Sequence, residues 1–263
     1  MAKQHEKGNE RQILGITFFA GDARSAVERM SEGGLLVVPA APALKDIAFS
    51  ESYREALTNA DMAITDSAFM VLLWNWLQRD SLKRVSGLKY LRELLLTPDV
   101  RAAGNTLWIM AGPASARKNI DWLASQGISV PQHCVYHAPI YNSQVEDATL
   151  VERLRTHQVR HIVITLGGGT QERLGLYLKR NLDYSPSIHC IGAAIAFLSG
   201  DQVRIPNWAD HMYLGWLFRC ISAPGRYIPR YWSALLLIPL LWRYRDRLPP
   251  MQTAPASRAQ AEA

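Results

Sequence analysis

Cysteine is scarce in this chain of 263 residues, and what there is stands far apart: Cys134, Cys190 and Cys220 form no CxxC pair. That excludes a disulfide framework and reads as reduced thiols without assigned chemistry. His133, Cys134 and His137 lie close together, but no second ligand pair accompanies them elsewhere in the chain, so zinc is not expected. Long hydrophobic runs are missing too. The two strongest, MVLLWNWL at residues 70–77 and WSALLLIPLLW at residues 232–242, fall well short of the roughly 20 apolar residues that a membrane span requires. The first is expected to be a buried helix; the second is broken by Pro239. Residues 1–11, MAKQHEKGNER, have no apolar stretch behind them. They are not a secretory signal, so the domain is expected to stay in the cytoplasm.

What is present suits one large α/β domain with an appendage. Hydrophobic residues make up 48% of the chain, enough for an ample core, and the formal charge of +6 is modest, so its placement matters more than its size. ILGITFFAG reads as a first strand, and DARSAVERMSEGG as a helix capped by Asp22 and stopped at Gly33 and Gly34. Residues 35–38 form a second buried strand ending in Pro39-Ala40-Ala41-Pro42, and residues 50–59 have a helical pattern. Further strands are expected at residues 107–111, 127–130 and 161–166, with a last strand and turn within residues 187–197. A helix should start near Ser115.

Residues 57–87 organise the rest. The apolar run Met62-Ala63-Ile64 meets Asp66 and Ser67, and the pattern then lengthens into a helix, so Asp66 falls where a strand ends. In an open α/β sheet ligands bind at that edge. A carboxylate there can take a proton from an incoming hydroxyl, and Arg84, eighteen residues on, offers the planar fork that holds a phosphate or carboxylate. The plain alternatives are that Asp66 caps the following helix and that Arg84 is a solvated arginine on a turn. Lys83 is expected to face solvent.

A second anchor is HIVITL running into Gly167, Gly168, Gly169 and Thr170 before a helix near Gln171 and Glu172. Three glycines leave backbone N–H groups uncovered at a helix N-terminus, which favours an anion. The plain alternative is a turn with Thr170 as N-cap and Glu172 in the first turn. The turn at Gly112 and Pro113 is too weak a match to count as a phosphate site.

The tail changes character after Asn207. Between Tyr213 and Leu248 stand Arg219, Arg226, Arg230, Arg243, Arg245 and Arg247 against a single acid, Asp246, interleaved with tryptophan and tyrosine. Such a mixture suits a membrane interface. It can also line a nucleic-acid groove, but the apolar stretch around Pro239 suits shallow lipid contact better, and no nucleic-acid partner is expected.

Three ordered blocks carry a resemblance: ADMAITDSAFMVLLWNWL with RVSGLKYLREL, ITLGGGTQE, and IGAAIAFLSGDQVRIPNWADHMYLGWLFRCISAPGRYIPRYW. Together they resemble the WecG/TagA/CpsF glycosyltransferase family over roughly residues 35–232. The resemblance implies an α/β fold with a Rossmann-like, mostly parallel sheet, helices on both faces, and a basic, aromatic C-terminal membrane-associating appendage. Read with the polar composition of both ends, it suggests a disordered N-terminus over 1–11, the glycosyltransferase domain over 12–210, the appendage over 211–248 and a disordered tail over 249–263. It implies Asp66 as general base toward the acceptor. It also places Arg84, Gly167, Gly168, Gly169, Gln171, Glu172, Arg219, Arg226 and Arg230 at the substrates, Arg230 one residue beyond the usual interval. Partners on this reading are a UDP-sugar donor, a polyprenyl-diphosphate-linked sugar acceptor, the cytoplasmic face of the bacterial inner membrane and, as in several members, a further copy of the chain. No cofactor is expected. With no Asp-x-Asp in the chain, transfer is expected to need no metal.

Departures from the family pattern bear on specificity. Alanine stands at 40 and 41 where the family has an asparagine that contacts the sugar, Thr65 and Ser67 flank Asp66 in place of proline and glycine, Thr170 replaces a lysine, and Ala196 an aspartate. These tilt the donor toward a plain hexose, glucose, in exopolysaccharide assembly, ahead of N-acetylmannosamine or its uronic acid. A catalytically silent scaffold and a nucleotide-binding regulator are the rival readings.

Overall fold

A computed structural model describes residues 9–142, 144–202 and 215–253. Its centre is an eight-stranded sheet: β1 (Glu10–Ile13), β2 (Ile16–Phe19), β3 (Gly34–Val37), β4 (Met62–Ile64), β5 (Thr106–Met110), β6 (Val135–His137), β7 (His161–Ile164) and β8 (Ser187–Cys190). The spatial order is β1-β2-β4-β3-β8-β7-β5-β6. Only the β1–β2 pair is antiparallel. The expected mostly parallel α/β sheet is therefore present.

Period-two alternation in the strands feeds two separate cores. Phe18, Leu35, Val37, Ala63, Ile109, Ile164 and Cys190 face one side, where they meet the Glu51–Thr58, Ala68–Gln78, Ala148–His157 and Thr170–Asn181 helices. Phe19, Leu36, Val38, Ile64, Trp108, Met110 and Val163 face the other, under the Ala23–Met30, Gly87–Leu94, Pro113–Ser125 and Ala194–Ser199 helices. Burial on both faces is why these strands read as short continuous apolar runs. Asp22 caps its helix as expected, accepting from Ser25 N at 2.8 Å.

The Thr170–Asn181 helix lies close to the sheet because Gly175 has no side chain. A Cβ there would come within 2.6 Å of Leu35 Cδ1 and 2.7 Å of Cys190 Sγ. Both neighbours are fully buried. Gly175→Val is expected to cost about 3 kcal/mol of stability through overpacking, read as a shift of the urea midpoint.

Three sequence expectations are corrected. The single strand expected in ILGITFFAG is a hairpin, with Leu14 (φ 51°) and Gly15 (φ 76°) as a two-residue turn of left-handed residues. Leu14 is fully buried, so an apolar residue in the turn hides the break from any hydropathy pattern. Residues 127–130 form no strand: Gly127 has φ 74° and Ile128 N donates to Leu123 O at 3.0 Å, which makes the segment the C-terminal cap of the preceding helix. The strand comes later, at β6. The Ala68–Gln78 helix, expected to be buried, is buried on one side only. Met70, Val71 and Trp74 face the core, whereas Leu72 and Trp76 are 54% and 71% exposed.

The C-terminal segment returns to the start of the chain. Leu237 and Leu241 of the Leu237–Tyr244 helix are fully buried in the first core. Beyond it, Leu14 N donates to Arg245 O at 2.7 Å and Gly15 N to Asp246 O at 2.8 Å. Residues 249–253 make two contacts with the domain: Arg54 donates to Pro249 O and Gln252 N to Ala48 O at 2.7 Å. The rest of that tail lies outside the described residues.

Candidate active site

Strand register sets the level at which the site is built. Ala63, Val37, Cys190, Ile164 and Ile109 pair in one row across β4, β3, β8, β7 and β5. Each chain then leaves the sheet at its carboxyl end within a few residues. Asp66, the short Ala41–Leu44 helix, Gly192, Gly167 and Gly112 therefore emerge along a single edge. Between β4 and β7 lie three strand spacings, about 14 Å. The edge is also where the chain passes from one half of the sheet to the other, the place at which open α/β sheets bind ligands.

Asp66 is not the cap of the helix that follows it. Ser67 is, with its hydroxyl accepting from Met70 N at 3.2 Å, and its φ of −73° shows that glycine's freedom is not needed here. The Asp66 carboxylate turns across the edge instead. Its Oδ1 accepts from Gly87 N at 2.9 Å, at the N-terminus of the Gly87–Leu94 helix, where partial positive charge favours an anion. Among the described residues Oδ2 accepts no hydrogen bond, and the side chain is 29% exposed. Gly87 is also packed against the neighbouring strands: a Cβ on it would stand 3.4 Å from both Ile191 O and Val38 Cγ1.

Arg84 comes to the same place. Its Nε donates to Asp66 O at 2.6 Å, and one terminal nitrogen lies 3.8 Å from Asp66 Oδ1. Two clamps hold the segment that carries it. Thr65, fully buried, donates to Lys83 O at 2.8 Å and accepts from Val85 N at 3.0 Å. Asn75 donates to Leu82 O and accepts from Leu82 N, both at 2.9 Å. Neither clamp was legible in the sequence, since a threonine and an asparagine signal nothing without their distant partners. Lys83 is exposed, as expected.

At the other end of the edge, Gly169 is the N-cap of the Thr170–Asn181 helix, with φ 92°, and Thr170 is its first residue. Gln171 and Glu172 are buried beneath the glycines. Glu172 Oε2 accepts from Gly169 N at 2.6 Å and its Oε1 from Gln171 Nε2 at 3.1 Å. Gln171 Oε1 accepts from Gly192 N at 2.6 Å, and Cys190 Sγ donates to Gln171 O at 3.2 Å. The amide of Gln171, which the resemblance points at the nucleotide, is thus used to join the β7 and β8 loops. Burial pushes the Glu172 carboxyl up to about 7, against the pull of its three donors. Residue 168 faces across to the β3 side, where a Cβ would be 3.5 Å from Ala43.

The positive charge that Thr170 lacks is supplied from within the helix. Arg173 donates to Gly169 O at 2.9 Å and to Asn142 O at 3.3 Å, which leaves it beside the glycine turn. Its position four residues past Gly169 is the only signal that could have found it. Ala196 is buried, so that position belongs to packing in this chain. Arg230 is exposed on the Pro224–Ala234 helix. Arg219 and Arg226 fall on helical backbone, but their side chains lie outside the described residues.

The arrangement provides one part-exposed carboxylate oxygen, an arginine beside it and a glycine-lined helix start opposite. Among the described residues no three histidine, cysteine or acidic side chains come together as metal ligands, and no helix is long and apolar enough to cross a membrane. Compared with protein families, the chain matches the glycosyl transferase WecG/TagA/CpsF family over residues 11–250. Compared with individual curated proteins, it matches none.

Proposed function

This chain belongs to the WecG/TagA/CpsF glycosyltransferase family, and from that premise we propose that it moves glucose from UDP-glucose to an undecaprenyl-diphosphate-linked sugar, with inversion, during bacterial exopolysaccharide assembly. A transferase of this family takes a nucleotide-sugar donor and an acceptor. In the proposed reaction the acceptor hydroxyl attacks the anomeric carbon, its proton passes to Asp66 Oδ2, and the bond to UDP breaks on the opposite face. UDP departs with the bonding electrons toward the glycine turn at residues 167–169, where the start of the Thr170–Asn181 helix and the nearby Arg173 favour its charge, the Gly169 N–H itself being taken by Glu172. Arg84 sits within reach of both Asp66 and the space in front of it, and Arg219, Arg226 and Arg230 are assigned to the diphosphate of the acceptor.

The observation that carries this reading is the Asp66 carboxylate, held by the Gly87 N–H through one oxygen while the other stays free of described donors at the sheet edge. A base needs such a free oxygen. Glucose is favoured because Ala40 and Ala41 offer no side-chain amide to read an acetamido group. Independence from metal is supported by the lack of Asp-x-Asp, with cationic side chains and helix ends stabilising the leaving group in its place. The proposed place of action is the cytoplasmic face of the inner membrane, with the basic, aromatic segment 211–248 against the lipid.

Radiolabelled sugar transfer from a panel of UDP-sugars to polyprenyl-diphosphate-glucose and polyprenyl-diphosphate-N-acetylglucosamine, with EDTA present, tests the proposal. UDP-glucose is expected to be the donor used, at a rate that EDTA leaves unchanged. Use of UDP-N-acetylmannosamine or its uronic acid would replace the donor, and loss of transfer in EDTA would overturn the metal-free mechanism. No transfer from any donor to either lipid would favour the silent scaffold, for which Ser67 and Ala196 are the supporting departures.

A further inference from the structure

The outward side of the Ala68–Gln78 helix exposes large apolar side chains. Leu72 and Trp76 are four residues apart, share one face of the helix, and are 54% and 71% exposed. The Leu237–Tyr244 helix packs beside them in the same manner: Leu237 and Leu241 are buried, while Ile238 and Trp242 turn outward at 38% and 61% exposure. The two outward faces meet. The Trp76 and Trp242 rings lie 6.4 Å apart at 40°.

Arginines border this joined surface. Arg79 ends the first helix and is exposed, and Arg243 follows Trp242 and is exposed as well. Tryptophan flanked by arginine, with aliphatic side chains between, matches the boundary of a bilayer that carries negative headgroups. Asp80, the acid nearest Arg79 in sequence, is already engaged by Arg11 at 2.8 Å and by Trp74 Nε1 at 3.1 Å, so it does not offset the positive border.

We propose that the lipid-facing surface of this protein is composite: Leu72 and Trp76, from the helix that starts at the active site, insert alongside Ile238 and Trp242 into an anionic membrane surface. The inference rests on the membrane reading given under the proposed function and extends it from the C-terminal segment to the catalytic domain. Its consequence is geometric. Ser67 caps the helix that carries Trp76, and eight residues separate Ala68 from Trp76, about 12 Å at 1.5 Å per residue. With one face of the helix against the lipid, that distance runs along the bilayer surface, so Asp66 stands beside the inserted patch and near the headgroup level at which a lipid-linked acceptor presents its sugar.

Co-sedimentation with vesicles of phosphatidylglycerol and phosphatidylcholine tests this, using the full chain. The pair Leu72→Ser with Trp76→Ser, and separately Ile238→Ser with Trp242→Ser, are each expected to weaken partitioning about tenfold, since each removes two side chains from the apolar contact. Vesicles with brominated acyl chains should quench the wild type more than Trp76→Phe, which lacks that reporter. If Leu72→Ser with Trp76→Ser binds vesicles like the wild type while the C-terminal pair does not, the composite surface is wrong and the membrane reading survives. If the wild type itself fails to bind, both fall. If that first pair instead splits a dimer seen by sedimentation and leaves vesicle binding intact, the patch belongs to a second copy of the chain.

Discussion

Asp66→Asn is expected to lower sugar transfer by about two to four orders of magnitude, the usual contribution of a positioned general base, while leaving the fold in place. The asparagine side-chain oxygen can still accept from Gly87 N, and the backbone carbonyl that Arg84 uses is unaffected. What the amide cannot do is take a proton from the acceptor. Transfer assayed with saturating donor, alongside UDP binding by calorimetry, separates the two roles: the rate should collapse and the affinity for UDP should hold. Equal loss of both would mean that Asp66 binds substrate and does not act as the base.

Acidification is expected to destabilise the protein, with buried histidines as the cause. Tyr90 Oη, His189 and His161 form a continuous hydrogen-bonded chain in the core, at 2.8 Å from Tyr90 to His189 Nδ1 and 3.2 Å between the two imidazoles. His161 Nε2 is buried and has no partner among the described residues. Burial lowers His161 to about 4 and holds His189 well below its ordinary value of 6.5, because a charged ring there would give up its hydration.

Between about pH 6 and 5 the unfolded chain thus binds close to two protons at these positions that the folded chain refuses. Glu172 works in the other direction. Its carboxyl is raised to about 7 in the fold, so over the same interval the folded chain holds one proton that the unfolded chain has released. The net difference is one proton in favour of the unfolded state, so stability should fall by about 1.4 kcal/mol for each pH unit of acidification. Asp22, Asp80 and Asp201, whose carboxyls hydrogen bonds and basic neighbours hold below the ordinary value, lose their contribution only at lower pH still. Urea midpoints measured from pH 7 to 4.5 check the sum. His161→Gln should flatten the curve and Glu172→Gln should steepen it to about two protons; a wild-type curve that is flat would refute the assignment.

Much of the fold was legible because local patterns and tertiary environment agree. Short apolar runs bounded by glycine, proline or a polar residue became β3, β4, β5 and β7, β8 fell within the expected residues 187–197, and Asp22 capped the helix that its sequence context suggested. The pattern failed where a tertiary partner overrode it. Leu14 occupies a left-handed turn because the returning C-terminal chain supplies the carbonyls of Arg245 and Asp246 to it and to Gly15. Ile128 belongs to a helix cap because its N–H reaches back to Leu123. Hydropathy cannot tell a buried turn from a buried strand, since both exclude water equally.

The sequence by itself determined the family, the α/β class and the position of Asp66 at a strand end, because those depend on order and spacing along the chain. Only the tertiary structure decided what each side chain does there. Ser67 caps the helix and so frees Asp66 to meet Gly87, Thr65 and Asn75 fix the path of Arg84, and Gln171 spends its amide on Gly192 and Glu172. It also brought Trp76 and Trp242 together from segments 166 residues apart. A hydrogen-bonding side chain has several partners open to it within its own neighbourhood, and which one it takes is settled by where the packed sheet and helices bring distant backbone.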